Sequence, residues 1–194
     1  MDQPAIDALL TFLRNAEKLK TETRTAWTSE GERESVAEHT WRLCLWATVL
    51  GNRFSDVDTG RLIKICVVHD LGEAIRGDVP APQQGEGKAK QEQKDLQFLL
   101  SVLPDRDRKR LMQLWAEYEE AQTPEARLAK GLDKMETILQ HNQGDNPADF
   151  DYRFNLDYGM EHTRTPALIA SIRDALDKQT RREMKLSEGE SPDK

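Results

Sequence analysis

Residues 58–76, DTGRLIKICVVHDLGEAIR, decide how this chain is read. The β-branched content of the IKICVV segment would suit a strand, but the run is long and its apolar residues recur with helical period. Leu62, Ile65, Cys66 and His69 form one row, and Ile63, Val67, Asp70 and Ala74 form the adjacent one. The spacing predicts a single helix from Asp58 to about Arg76, buried over a broad face, with His69 and Asp70 in its middle. Adjacent helix positions differ by about 100°, so His69 and Asp70 reach one ion only if it lies off the helix edge and other helices complete its shell.

Those other helices are legible on both sides. Upstream, Ile6, Leu9, Leu10 and Leu13 predict an amphipathic helix that ends in a polar stretch, Lys18 to Glu32. Ser35 and Glu38 have the spacing of a capping box, opening a helix whose face carries Val36, Thr40, Leu43, Ala47 and Leu50 and whose first turn carries His39. Downstream, Gly77 to Gly87 reads as a loop. Helices follow over about Lys88 to Leu103, Asp105 to Ala121 and Pro124 to His141, the last with Thr123 as N-cap and Pro124 at the first position. A second Thr-Pro start at Thr165 opens a final helix from Pro166 to about Met184. With few strand candidates and no Asn-Gly hairpin signal, the fold class is all-α, a single domain of about six to seven helices. The domain is expected over residues 1–185, with 186–194 a disordered polar tail.

The 194 residues suffice for one core. A mean hydropathy of -0.75 and no apolar run near the roughly 20 residues of a membrane span predict a soluble protein. No signal-peptide pattern opens the chain, so cytoplasmic residence is expected. Cys44 and Cys66 lie in apolar helical stretches and read as reduced core thiols. Net charge -7 argues against a nucleic-acid polymer as partner.

His39, His69, Asp70 and Asp133 are two imidazoles and two carboxylates on three predicted helices, a set suited to Mn²⁺, Co²⁺, Fe²⁺, Zn²⁺ or Mg²⁺. Glu73 lies four positions after His69, on the side where a carboxyl can exchange a proton with water at such an ion. The same residues also fit ordinary duties: a helical His in packing or capping, Asp133 in a surface pair with Lys134, Glu73 as a partner for Arg76.

The order His39, His69-Asp70, Asp133 resembles the H…HD…D pattern of the HD-domain metal-dependent phosphohydrolases. The segments ESVAEHTWR (34–42), HDLGEAIRGDVP (69–80), LWAEYE (114–119) and LDKMETILQ (132–140) are similar to the 5'-deoxynucleotidase branch of that family, and the similarity spans about residues 6 to 175. The resemblance implies an HD-domain helical fold, with His39, His69, Asp70 and Asp133 as ligands of one divalent cation. It implies Asp70, Glu73 and Asp78 as catalytic residues, Asp78 also meeting the sugar. Arg24 and Trp27 fall near an Arg-x-x-Trp segment associated with the substrate phosphate and pocket, although Ala26 stands where the branch often has Gly. A planar guanidinium at Arg24 suits two phosphate oxygens.

HD proteins with two metals use further histidines between the HD pair and the last Asp. None occurs between Asp70 and Asp133, and His141 and His162 come too late, so one ion and hydrolysis are expected. The implied reaction removes the 5'-phosphate of a deoxyribonucleoside monophosphate, and the implied assembly is a homodimer. A phosphodiesterase or a nucleoside triphosphate hydrolase is the alternative, because the same ligands serve several phosphoesters. A non-catalytic nucleotide-binding regulator would be expected to lack a ligand or Glu73. A scaffold acting through Lys178, Arg181, Arg182 and Lys185 competes with a plain solvated helix face.

Overall fold

The computed structural model describes residues 2–78 and 87–188. Asp2 caps helix α1 (Gln3–Ala16) by accepting from the Ala5 N–H at 3.1 Å. The predicted apolar row does not face the core: Ile6, Leu9, Leu10 and Leu13 are 36–54% exposed, while Phe12 packs inward. A 3-10 turn, Glu17–Lys20, leads into a feature absent from the sequence reading. Within and after the stretch taken as polar loop, β1 (Thr23–Trp27) and β2 (Arg33–Ser35) form an antiparallel hairpin, with Thr23 opposite Ser35 and Trp27 opposite Arg33. Gly31, at φ +80°, makes the turn. Two short strands are marginal alone, and the hairpin is anchored on a helix instead: the Gln140 side chain donates to the Trp27 carbonyl, and the Asp145 N–H to the Thr28 carbonyl at 2.9 Å.

The predicted capping box is present. Ser35 Oγ accepts from the Glu38 N–H at 3.2 Å, Glu38 Oε2 accepts from the Ser35 N–H at 2.7 Å, and α2 (Val36–Leu50) buries Val36, His39, Leu43 and Ala47. The single helix expected over 58–76 is broken. Asp58 caps α3 (Thr59–Val68), His69 closes it, and a separate single turn, α4 (Glu73–Arg76), follows. After His69 the backbone bonds shorten to i→i−3: Leu71 to Val68, Glu73 to Asp70, Ala74 to Leu71, Ile75 to Gly72. The tighter winding takes Asp70 and Glu73 off the rows of an ideal helix. Gly72 in this stretch approaches the next helix, α5 (Lys88–Leu100), so closely that a Cβ there would stand 3.1 Å from the Glu92 carbonyl.

The remaining elements are α5 (Lys88–Leu100), α6 (Asp105–Glu120), α7 (Pro124–Gln143), the single turns α8 (Phe154–Asp157) and α9 (Met160–Thr163), and α10 (Ala167–Ser187). Seven helices of ten or more residues are thus present among the described residues, in agreement with the all-α expectation. Thr123 caps α7 as predicted, accepting from the Ala126 N–H at 3.2 Å. The analogous Thr165 cap is not formed: α10 starts after Pro166 without a side-chain cap, and it runs on to Ser187. Most of the expected 186–194 tail and of the 77–87 loop lie outside the described residues. Helix α7 runs through the centre, packed by α2, α3, α6, α10 and β1, and its Leu132, Met135 and Ile138 are fully buried. No helix among the described residues is long and apolar enough to cross a membrane.

Candidate metal centre and phosphate cavity

Three elements bring the predicted ligands together. His39 comes from the first turns of α2, His69 and Asp70 from the end of α3, and Asp133 from the middle of α7. His39 Nε2 stands 3.3 Å from His69 Nε2, 3.2 Å from Asp133 Oδ1 and 3.8 Å from Asp70 Oδ2. His69 Nε2 is 3.0 Å from Asp70 Oδ2 and 4.0 Å from Asp133 Oδ1. Ligands about 2.1 Å from one ion, at angles of about 90–110°, stand roughly 3.0–3.5 Å apart, so the cluster has the span of a single coordination shell.

Each ligand is oriented from behind. The Cys66 carbonyl accepts from His69 Nδ1 at 2.7 Å, which assigns the proton to Nδ1 and leaves the Nε2 lone pair facing the cluster. His39 Nδ1 is held by Glu136 in the same sense. Two imidazole lone pairs facing each other at 3.3 Å need positive charge between them. The neighbouring carboxylates draw positive charge to this point: burial and Arg24 push the His39 pKa down, yet Glu136 and Asp133 outweigh them and hold it up at about 9. Asp133 turns its other oxygen, Oδ2, to the Tyr118 hydroxyl (2.7 Å) and Lys134 Nζ (3.0 Å). Burial would raise the Asp133 pKa, but Lys134 and the histidines hold it well below the carboxylate range. Asp70 is likewise held low, the two histidines outweighing its burial. The donor set therefore fits a divalent cation, with both carboxylates ionised.

The cluster floors a cavity of about 390 Å³ lined by Arg24, Glu73, Asp78, Lys88, Tyr118 and Lys134, among others. Arg24 enters from β1. Its Nη2 donates to Thr137 Oγ1 at 2.9 Å, while its buried Nη1 has no partner. Burial opposes the charge on Arg24, but Glu136, Glu34, Asp70 and Asp133 keep it protonated. An unsatisfied buried guanidinium N–H beside a cation site is a donor awaiting an anion. Glu73 is buried with Oε2 unpartnered, and burial with the Asp70 and Asp78 carboxylates pushes its pKa up to about 10. Asp78, raised by its own burial, hydrogen-bonds Glu73. The suggested Glu73–Arg76 pair is not formed, since Arg76 Nε donates to Asp95 at 2.9 Å.

Trp27 stands apart from this group. Its ring packs edge-on against Phe150 at 6.0 Å and carries Arg33 at 5.6 Å, and it is not among the described residues lining the cavity. His141 and His162 are also elsewhere, His141 donating to Asn155 Oδ1 at 2.7 Å and His162 facing Glu161. Sequence reasoning missed Glu136, Arg42 and Tyr118, and the Asp133–Lys134 pair that it offered as a surface pair is formed at 3.0 Å in the cavity lining. Asp133 and Glu136 do carry a signal, a three-residue spacing that puts both on one face of α7.

Comparison with known proteins agrees with the geometry. The chain is 36% identical over 140 residues to the 5'-deoxynucleotidase HDDC2 of Mus musculus, covering 70% of this chain and 69% of that protein. It is 33% identical over 142 residues to the 5'-deoxynucleotidase hdd1 of Schizosaccharomyces pombe, covering 69% and 70% respectively. A crystal structure from Magnetospirillum magnetotacticum, titled a "Predicted metal-dependent phosphohydrolase", superposes with a TM-score of 0.82 over 98% of this chain and 97% of that one, and at 24% identity it supports the fold. With the HD-domain model matching residues 16–173 across the same ligand-bearing helices, this chain belongs to the HD-domain family.

Proposed function

We propose that this chain is a metal-dependent phosphohydrolase that removes the 5'-phosphate from deoxyribonucleoside monophosphates. The observation that carries the reading is the unpartnered N–H of Arg24, which lines one cavity with His69, Asp70 and Asp133, the buried His39 closing the cluster behind them. The relatives named 5'-deoxynucleotidase support the substrate class.

When bound, a divalent cation supplies Lewis acidity to a phosphoryl oxygen and lowers the pKa of water. His39, His69, Asp70 and Asp133 hold it. Arg24 binds the non-bridging phosphate oxygens and offsets the charge that grows on them. Glu73, whose carboxyl pKa is pushed up by burial and by Asp70 and Asp78, exchanges a proton at the attacking water or the leaving 5'-oxygen. Asp78 accepts a hydrogen bond from the sugar 3'-hydroxyl. Trp27 acts from behind, its carbonyl and ring fixing the strand that presents Arg24.

Charge pairing favours a monophosphate over a triphosphate. Among the described residues of the cavity, Lys88 pairs with Glu92 at 3.0 Å, Lys130 with Glu119 at 3.3 Å and Lys134 with Asp133 at 3.0 Å, leaving Arg24 the cation with an unpartnered donor. The reading includes cytoplasmic residence, which the two unpaired cysteines support. It also includes a homodimer, supported by the exposed apolar rows Leu9, Leu10 and Leu13 on α1 and Trp41, Leu45 and Val49 on α2.

Phosphate release from 5'-deoxynucleoside and 5'-ribonucleoside mono-, di- and triphosphates, in chelator and with Mn²⁺, Co²⁺, Mg²⁺ or Zn²⁺ restored, tests the reading. Turnover of deoxy-monophosphates is expected to need the cation and to vanish in Asp70→Asn. Arg24→Met is expected to raise KM about ten- to a hundredfold, the value of a charged hydrogen bond. Preferred release from triphosphates, or undiminished turnover in Asp70→Asn, overturns it.

A further inference from the structure

Behind the cation ligands lies a fully buried carboxylate, Glu136, whose second oxygen the sequence reading did not anticipate. Glu136 is 0% exposed, and both its oxygens are engaged. Oε2 accepts from His39 Nδ1, and Oε1 accepts from Arg42 Nε at 2.7 Å, with Arg42 Nη2 also 2.7 Å away. The arrangement follows from two three-residue spacings. His39 and Arg42 share a face of α2, Asp133 and Glu136 share a face of α7, and the two helices pack against each other. One residue of each pair is a cation ligand, and the other is a member of the ion pair behind it.

We propose that Glu136, held by Arg42, is a positioning residue that fixes His39 in the tautomer and orientation needed to bind the cation. This rests on the reading of His39, His69, Asp70 and Asp133 as a metal centre. A neutral imidazole has one proton. With Nδ1–H committed to Glu136, the Nε2 lone pair faces His69 and Asp133; without that acceptor, the proton can move to Nε2 and block the ligand atom.

The surrounding charges fit this assignment. Glu34 lies 3.9 Å from Arg24 Nε and 3.8 Å from Arg42 Nη2, so both guanidinium groups stand against the acidic side chains behind His39. A second cation among Glu34, His39 and Glu136, whose ligand atoms also lie close together, is disfavoured because Arg24 and Arg42 already supply the positive charge there. Isolated in the core, Glu136 would be costly. Its two partners make it affordable and direct its second oxygen at His39.

Glu136→Gln retains the shape and removes the two-sided acceptor: an amide can offer its oxygen to His39 or to Arg42, with its NH₂ facing the other. Cation affinity, measured by calorimetric titration of Mn²⁺ or Co²⁺ into the chelated protein, is expected to fall about ten- to a hundredfold in Glu136→Gln. Arg42→Met, at a partly exposed position, is expected to weaken it in the same direction by roughly threefold or more. At saturating cation, kcat should recover towards wild type, which a damaged core would not permit. Melting of the cation-free proteins reports folding, and if Glu136→Gln does not fold, Arg42→Met decides. Folded variants that bind the cation within about twofold of wild type overturn the positioning role. Absence of binding in wild type, or undiminished binding in His69→Ala, sinks the metal-centre reading instead.

Discussion

His141 shows at the scale of one residue how burial changes a side chain's part. The sequence left it as a helix-end histidine, and it lies in the last turn of α7, buried against Phe150 with its Nδ1–H on Asn155. Burial, helped by Arg24 and opposed by the Asn155 bond, lowers its pKa below the ordinary 6.5. The unfolded chain therefore takes up a proton that the folded chain refuses. His141 leaves stability intact above about pH 6.5 and lowers it as pH falls below, by up to about 1.4 kcal/mol per pH unit until the folded pKa is reached. Urea melts between about pH 7 and pH 5 should show a shallower loss for His141→Gln than for wild type; equal slopes would exclude His141 from the linkage. The candidate ligands were legible through the resemblance of the His39, His69-Asp70 and Asp133 order to the HD-domain pattern, since by spacing alone the same residues also fit packing, capping and surface pairing. Glu136 and Arg42 were not, because a charged residue in a helix ordinarily reads as solvated.

At the scale of elements, the hairpin positions Arg24, and it is the element whose existence the sequence concealed. Thr23, Thr25 and Trp27 favour a strand, yet the run is five residues long and its stability comes from α7 rather than from itself. That dependence can be measured at Gly144, where a Cβ would stand 2.3 Å from the Trp27 carbonyl. Gly144→Ala should force β1 off the end of α7, destabilising the protein by about 1–3 kcal/mol and raising KM with the displaced Arg24. An unchanged KM in a destabilised variant would separate the strand's packing from its part in the site. The break after α3 belongs to the same scale. Row-by-row periodicity predicted one helix, whereas the chain winds into i→i−3 bonds after His69, beside the close approach of Gly72 to α5, and both Asp70 and Glu73 line the cavity.

For the whole molecule, the proposed cation ligands bring α2, the end of α3 and α7 to one point, so binding there is expected to stabilise the entire fold. A ligand at 1,000 times its Kd adds about 4.1 kcal/mol, which for a chain of this size is a rise in Tm of roughly 8–16 °C. Thermal scans in chelator and after restoring Mn²⁺ or Zn²⁺ should show the shift in wild type and its loss in Asp133→Asn. An equal Tm in both conditions would mean that these helices are held without help from the site.

The all-α class, the capping boundaries of α2 and α7 and the identity of the four candidate ligands were already present in the chain, because helical period, N-caps and residue chemistry act over a few neighbouring positions. The hairpin, the kink after His69, the solvent-facing row of α1 and the Arg42–Glu136–His39 relay came only from tertiary structure. Each depends on contacts between segments tens of residues apart, where the neighbour that satisfies a carbonyl, excludes a Cβ or neutralises a buried charge is supplied by another element.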